Sequence, residues 1–349
     1  MARPVSLQKM PPDEAVAFLF TRADRDTAGL TESDAAADLA AELGFLPIAL
    51  EQAGAFILRR QLRFRTYLSQ YQKQRLALLE QQPPKVGNEQ QPDRSVQTTW
   101  RLNFEAVKVI NPASAELLQF SAFVAPDTIP YELLIVGGES LGSLLTEVLA
   151  STDHEEARFE IAELLEPLSQ YSLIRVEPDS DSYTIHRLVQ EVVKVEMEDT
   201  HRRLWAERTI EAVTQAFPNA KYGNWPDCDR LLTHAKVAIQ LATAHQIESE
   251  TTALLLARTG YYLVERAQYS EAEPLYQDTL AMRKRLLGNE HPDVAQSLNN
   301  LAGLYKNQGR YSEAESLYKD ALTMRKQLLG NENPDVAHSL NNLALLYDN

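Results

Sequence analysis

Hydrophobic side chains in the C-terminal third of the chain recur with the 3.6-residue period of an amphipathic α-helix. Leu298, Leu301, Ala302 and Tyr305 occupy positions i, i+3, i+4 and i+7 of one such stretch. After a short polar break, a second stripe of small and aromatic side chains begins at Tyr311. The pattern predicts pairs of antiparallel helices joined by tight turns.

This helix pair is repeated. Residues 269–307 align without a gap with residues 311–349 at an offset of 42, and 30 of the 39 positions are identical. Each copy contains a Gly-Asn-Glu-x-Pro-Asp loop, in which the glycine ends one helix and the proline begins the next. A diverged earlier copy is visible around residues 256–263. We therefore predict an α-solenoid over residues 251–349.

The repeat resembles the tetratricopeptide repeat in its 42-residue form, as found in the kinesin light chain family. The resemblance implies that the first helix of each repeat lines a concave groove for a protein or peptide ligand. Side chains off the packing stripe should face this groove, and they are Gln296, Asn299, Asn300, Gly303 and Lys306, then His338, Asn341, Asn342 and Leu345.

Paired asparagines at equivalent positions of successive repeats can hydrogen-bond the main chain of an extended peptide. The alternative is that these side chains form only a solvated polar face. The last helix carries no polar cap, so we expect a solenoid that is truncated on its C-terminal side.

The N-terminal half has a different organisation. Residues 33–58 predict two helices split at residues 44–47, with Pro47 in the first turn of the second helix. The polar residues 81–97 predict a loop. Beyond them, a helix over 158–171, strands at 173–176 and 183–185, and a helix from His186 follow the helix, hairpin, helix order of a winged-helix domain.

Three strings in this half are similar to motifs of the NB-ARC family of signal-transduction ATPases, and the chain resembles the C-terminal part of a bacterial, NLR-like member of that family. Leu-Gly-Phe-Leu-Pro-Ile-Ala-Leu at residues 43–50 resembles the Gly-Leu-Pro-Leu-Ala motif, and residues 10–20 resemble the helix that opens the same helical subdomain. Ile185-His186-Arg187 resembles the Met-His-Asp motif, although Ile and Arg replace Met and Asp. The resemblance implies that Pro47 lies near the adenine of bound ADP and that His186 contacts its β-phosphate.

The expected fold is mainly α. It comprises a helical ARC-like subdomain (1–80), a linker loop (81–97), a winged-helix domain with a small β-hairpin (98–200), a helical linker (201–250) and tetratricopeptide repeats (251–349).

The phosphate loop of the family, Gly-x4-Gly-Lys-Ser/Thr, is absent from the sequence. The glycines at 137–142 have the wrong spacing and no lysine, so they predict a loop, and residues 1–30 contain no apolar strand that ends in paired aspartates. We therefore expect a chain without the nucleotide-binding half, without catalytic residues and without a metal site, which does not hydrolyse ATP by itself. In the intact family the cofactor is ADP or ATP with magnesium.

Composition restricts the alternatives. The chain has 34 basic and 49 acidic residues, and residues 101–268 contain 14 basic against 26 acidic ones. This acidity repels phosphate backbones and argues against nucleic-acid binding. The single cysteine, Cys228, excludes a disulfide scaffold, and we interpret Trp225, Cys228 and His234 as packing residues. No apolar run is long enough to cross a membrane, so we expect a cytoplasmic protein.

These features predict a protein-interaction and regulatory sensor module of a signal-transduction switch. The resemblance implies that ADP clamps the helical and winged-helix subdomains through the regions of Pro47 and His186, and that a ligand on the repeats releases them. A kinesin-light-chain-like cargo adaptor and a winged-helix transcription regulator are the alternatives. The sequence leaves the ligand and self-association open.

Overall fold

The computed structural model describes residues 9–25, 30–81, 94–150 and 153–348 and is mainly α-helical. By its contacts the chain divides into two compact units, residues 1–202 and residues 203–349. The described residues form seventeen α-helices and three short strands.

The first unit contains ten helices and a small sheet. In chain order its elements are α1 (Pro12–Arg22), α2 (Leu30–Glu42), α3 (Pro47–Arg60), α4 (Phe64–Gln81), α5 (Arg94–Ile110), α6 (Pro112–Ser121), β1 (Ile129–Pro130), α7 (Tyr131–Gly137), α8 (Ser143–Val148), α9 (His154–Gln170), β2 (Ile174–Glu177), β3 (Ser182–Ile185) and α10 (Arg187–Glu196).

Helix α3 lies at the centre of the first unit. It packs against α1, α4 and α5, and its residues are buried from Ala49 to Ile57 with the exception of Glu51. The turn before it is closed by two residues in the left-handed region, Gly44 (φ 65°) and Phe45 (φ 59°). This turn confirms the predicted split between the two helices, because a glycine adopts a positive φ at no steric cost.

Buried polar contacts join α3 to α5. The Asn103 side chain donates to the main-chain oxygens of Gln52 at 3.1 Å and Tyr171 at 2.9 Å, and the Thr99 hydroxyl donates to the Gln52 side chain at 3.1 Å. Each of these bonds pairs a buried polar group that would destabilise the fold if it had no partner.

The three strands form one antiparallel sheet in the order β1-β3-β2. In the β2–β3 hairpin, Ile174 faces Ile185 and Glu177 faces Ser182, which confirms the predicted hairpin. Strand β1 was not predicted, because two residues are too few to show a period of two.

The loop predicted for residues 81–97 is shorter than expected. Helix α5 begins at Arg94, so the prediction was wrong for residues 94–97, and Gln81 still belongs to α4. Residues 82–93 lie outside the described part of the chain. The loop predicted at the glycines 137–142 is in part a short 3-10 helix, Gly138–Ser140.

The second unit is built from antiparallel helices. They are α11 (Asp199–Ala216, which begins in the first unit), α12 (Trp225–Ala244), α13 (Glu250–Glu265), α14 (Tyr269–Leu287), α15 (Pro292–Asn307), α16 (Tyr311–Leu329) and α17 (Pro334–Tyr347).

The predicted helix pairs of the repeats are confirmed. Ala302 of α15 and Ala314 of α16 are fully buried in one cluster with Tyr305 and Tyr318, so the short side chains allow the two helices to approach closely. The turn between them contains Gly309 with φ 77°. The second unit is an α-solenoid.

A buried arginine recurs in both repeats. Arg325 of α16 donates to the Asp335 main-chain oxygen at 3.0 Å and to the Ser339 hydroxyl at 2.8 Å, and Arg283 makes the same two contacts with Asp293 and Ser297. Burial lowers the pKa of Arg325 from its ordinary value. These contacts fix the start of the next helix.

Trp225, Cys228 and His234 all lie on α12. Cys228 and His234 are buried and Trp225 is half-buried, with its ring 5.1 Å from both the Tyr222 ring centre and the Arg266 guanidinium. Burial raises the pKa of the Cys228 thiol, which disfavours the reactive thiolate.

Among the described residues, no helix combines the length and apolar character that a membrane span requires. Within the same part of the chain, no group of three or more His, Cys, Asp or Glu side chains is placed to hold a metal ion.

Candidate functional site

Pro47 and His186, which are far apart in the sequence, line one cleft of about 870 Å³ in the first unit. The cleft lies between the starts of α3 and α10, with α1 and the corner between α9 and β2 completing its walls. Its volume is within the range of small-molecule sites. The structure thus brings together the two residues that the sequence predicted for one ligand.

His186 is the N-cap of α10. Its Nδ1 accepts the main-chain N–H of Leu188 at 3.1 Å, so in the neutral ring the proton is on Nε2. Burial lowers the pKa of His186, and the charge of Arg187 adds to this effect. At neutral pH the histidine is therefore a neutral hydrogen-bond donor at the edge of the cleft.

Three polar side chains on the cleft wall form what we call the Arg22 triad: Arg22, Glu51 and Ser172. Arg22 donates to the Glu51 carboxylate at 2.5 Å and to the Ser172 hydroxyl at 2.7 Å, and Ser172 donates to the same carboxylate at 2.8 Å. Arg22 is on α1, Glu51 is on α3, and Ser172 is in the α9–β2 corner with φ 53°. The triad therefore joins three elements around the cleft.

The triad requires a glycine at position 54, which no sequence pattern indicated. A Cβ atom at Gly54 would lie 2.7 Å from Cγ of Arg22, closer than side chains tolerate. The Arg22 side chain thus passes directly over the α3 backbone. Sequence reasoning missed the triad, because its members come from three separate segments and belong to no motif.

The charged side chains of the lining determine which kind of ligand the cleft can bind. Arg22 is paired with Glu51, and Arg175 is paired with Glu177 at 3.0 Å. Phe18, Pro47 and Ile48 supply an apolar wall. The lining fits a flat, largely apolar group with a polar partner at His186, but a diphosphate would have to draw Arg22 away from Glu51.

The second candidate site is the groove face of the repeats. Gln296, Asn299, Asn300, Gly303, Lys306 and Asn342 are half-buried, and His338, Asn341 and Leu345 are exposed. None of the nine predicted positions is buried in the core.

Several of these side chains bond to one another. The Asn342 amide donates to the Asn299 side-chain oxygen at 3.0 Å, and the Gln296 amide donates to the Asn300 oxygen at 2.6 Å. Arg325 in turn donates to the Gln296 oxygen at 2.5 Å. These bonds do not use the side-chain N–H groups of Asn299 and Asn300 or the side-chain oxygen of Asn342. These groups can therefore bond to a ligand.

The cations of α10 are close to carboxylates. Arg187 lies 3.6 Å from Asp127, and Lys194 lies 3.3 Å from Glu191. The opposite face of α10 is buried through Val189, Val192 and Val193. This helix offers little unpaired positive charge to a phosphate backbone.

Family models match two parts of the chain. The model described as "Tetratricopeptide repeat" matches residues 251–327 and 299–348, so the helices of this region are tetratricopeptide repeats. The model described as "Domain of unknown function (DUF7779)" matches residues 105–202, which include the sheet and α10.

The chain is similar to a "Nucleotide-binding leucine-rich repeat (NLR)-like protein" of Hyaloscypha variabilis (strain UAMH 11265 / GT02V1 / F), with 29% identity over 303 residues. The match covers 84% of this chain and 28% of the relative, so the chain spans little more than a quarter of that protein. The crystal structure of BtubC (BKLC) from P. vanneervenii is 20% identical, with a TM-score of 0.38 over 61% of this chain and 79% of that one.

The repeats and the likeness to an NLR-like protein support a role in protein interaction and signalling.

Proposed function

We propose that this chain is the regulatory and sensor part of a signalling switch of the NB-ARC type. The second unit binds a protein or peptide, and the cleft of the first unit forms one side of an ADP site. The observation that carries this proposal is the convergence of Pro47 and His186 on one cleft in a chain that is similar to an NLR-like protein.

In this proposal the residues of the cleft bind and orient the nucleotide, and they have no catalytic task. The apolar wall around Pro47 and Ile48 accepts the base, and the Nε2–H group of His186 donates to a phosphate oxygen. Neither residue supplies a base for an attacking water, and hydrolysis would need the phosphate loop that the sequence does not contain.

Binding of a fluorescent ADP analogue tests the cleft. We expect weak binding to the wild-type chain, a clear further loss in His186→Ala, and no change in His245→Ala, a histidine of the second unit. Equal affinity in all three proteins would refute the ADP site. Magnesium-dependent ATP turnover above that of His186→Ala would refute the absence of catalysis.

The groove of the second unit is proposed to bind an extended peptide. The free N–H groups of Asn299 and Asn300 can donate to peptide carbonyls, and the oxygen of Asn342 can accept a peptide N–H. Because these contacts are made to the main chain, they recognise the extended form of a peptide rather than its sequence.

Binding of a randomised peptide library, measured by fluorescence polarisation, tests the groove. The double variant Asn299→Ala with Asn341→Ala should bind several-fold more weakly than the wild type, since each lost hydrogen bond contributes about 1 kcal/mol. Gln327→Ala, an exposed position on α16, serves as the matched control. Unchanged binding by the double variant would rule out the groove.

A further inference from the structure

The first helices of the last two repeats differ only on the groove face. Residues 292–307 and 334–349 differ at three of sixteen positions: Gln296 against His338, Gly303 against Leu345, and Lys306 against Asp348. All three positions belong to the predicted groove face, whereas the packing stripe is identical. Packing therefore constrains the residues of the stripe, and the two helices differ only in residues that face the groove.

Gly303 leaves a recess on this face. Tyr261 and Leu345 occupy the equivalent positions of the helices on either side, and their side chains are 44% and 45% exposed. A Cβ atom at Gly303 would meet only the Tyr318 hydroxyl, at 3.4 Å, within 4 Å. We call this space, between Tyr261 and Leu345 and above Gly303, the Gly303 recess.

A polar atom reaches the floor of the recess. Tyr318 is only 4% exposed, yet its hydroxyl makes no hydrogen bond within the described part of the chain. Burial raises the pKa of Tyr318, so the hydroxyl keeps its proton and can donate. Because it lies beside this open space, the hydroxyl is placed to donate to an acceptor atom of a ligand.

The walls of the recess are held in place. Tyr261 lies on α13 one turn before Glu265, and burial raises the pKa of its hydroxyl. On the other side, the Asn342 to Asn299 bond of 3.0 Å fixes α17 beside α15, one turn before Leu345 and Gly303. The α17 side of the recess is thus fixed by a hydrogen bond between the two helices.

We propose that the Gly303 recess binds a leucine-sized apolar side chain of an extended peptide. The ligand's side chain takes the place of the leucine that the next repeat has at the equivalent position, while its main chain contacts the asparagine amides and the Tyr318 hydroxyl. This inference rests on the proposed function of the groove and adds the chemistry of the ligand to it.

Two peptide libraries that differ at one fixed position, leucine in one and alanine in the other, test the recess by fluorescence polarisation. The wild type should bind the leucine library about tenfold more tightly, the difference expected when roughly half of the additional side-chain area is buried. Gly303→Leu should remove this preference, because its own side chain fills the recess. Tyr261→Ala, which removes one wall, should reduce it.

Gly303→Leu is a suitable variant because Leu345 occupies the same position in a nearly identical helix, and leucine has a higher helix propensity than glycine. Its melting temperature should not fall below that of the wild type. A wild-type leucine preference in both Gly303→Leu and Tyr261→Ala, or equal binding of the two libraries to the wild type, would overturn the recess. If Asn299→Ala with Asn341→Ala still weakens binding, the groove itself stands. Failure of the wild type to bind either library would refute the groove and the recess together.

Discussion

The Arg22 triad predicts that Ser172 stabilises the first unit through two hydrogen bonds to charged groups. Ser172→Ala removes the bond from Arg22 at 2.7 Å and the bond to Glu51 at 2.8 Å, but it leaves those two residues paired with each other. The variant therefore removes hydrogen bonds without leaving a charge unpaired, which keeps the perturbation simple.

The magnitude follows from the exposure of the partners. A hydrogen bond to a charged group contributes about 1.5–3 kcal/mol when it is buried. The Arg22 and Glu51 side chains are 26% and 36% exposed, so solvent screening reduces each bond to about 1 kcal/mol. Ser172→Ala should thus lower the free energy of unfolding by about 2 kcal/mol.

A second variant separates the effect of the lost hydrogen bonds on stability from the effect of backbone strain. Ser172 has φ 53°, which a glycine adopts without strain. Ser172→Gly loses the same hydroxyl but relieves about 1 kcal/mol of strain, so it should be less destabilising than Ser172→Ala. In the Arg22→Met background, Ser172→Ala should cost about 1 kcal/mol less than in the wild type, because one of its bonds is already absent.

Urea unfolding followed by tryptophan fluorescence measures these differences. Trp100 is the tryptophan of the first unit, so the measurements are made in a Trp205→Phe, Trp225→Phe background. Arg175→Ala, which breaks an ion pair whose arginine is 81% exposed, is the control and should change stability by less than about 0.5 kcal/mol. If Ser172→Ala matches that control, or if its effect is unchanged by Arg22→Met, Ser172 does not stabilise the unit through these two hydrogen bonds.

Three further predictions concern other contacts. Gly260→Ala should destabilise the second unit by about 1–3 kcal/mol in thermal unfolding, because a Cβ there would lie 2.8 Å from the Tyr276 ring, whereas a stability gain would contradict the packing. The pKa of His186 is lowered in the folded protein, so below its ordinary pKa of 6.5 the unfolded chain binds a proton more readily than the folded one. The contribution of His186 to the free energy of unfolding is therefore greatest above pH 6.5 and decreases as the pH falls below it. In pH-dependent melting, His186→Asn should retain the cap and remove this component, so an unchanged profile would exclude it. Arg325→Met should lower the free energy of unfolding by about 2–4 kcal/mol, since it leaves buried acceptors unpaired, and a change below about 0.5 kcal/mol would show that water replaces the arginine.

The repeats were predictable from the sequence because one physical rule acts many times. A helix that must pack on both neighbours repeats its small and aromatic residues at a fixed spacing, and Ala302, Ala314 and Ala321 are fully buried as the period requires. The loop glycines and prolines add local signals that depend only on backbone geometry. Pro47 and His186 were found in a different way, through motifs of a known family.

The start of α5 shows where sequence reasoning failed. The polar residues up to Gln97 predict a loop, yet Gln97 is buried in the helix, as is Thr99, which lies beyond the predicted loop. Gln97 donates to Glu196, and Thr99 donates to Gln52, so each polar group has a partner from a distant segment. Composition shows that a residue is polar, but it does not show whether the hydrogen-bond partner of that residue is water or protein. The Arg22 triad was missed for the same reason.

The triad also sets the sign of a coupling in the proposed ADP site. Arg22 pairs with Glu51, so an anion in the cleft competes with Glu51 for the same guanidinium. Weakening that pair should favour the anion, and by linkage the anion should weaken the contact between α1 and α3. Glu51→Gln should therefore bind the fluorescent ADP analogue more tightly than the wild type, whereas Arg22→Met should bind it more weakly. Two variants that remove the same ion pair would then have opposite effects on affinity. If both changed affinity in the same direction, Arg22 would serve only to hold the cleft walls together, and it would have no part in binding the anion.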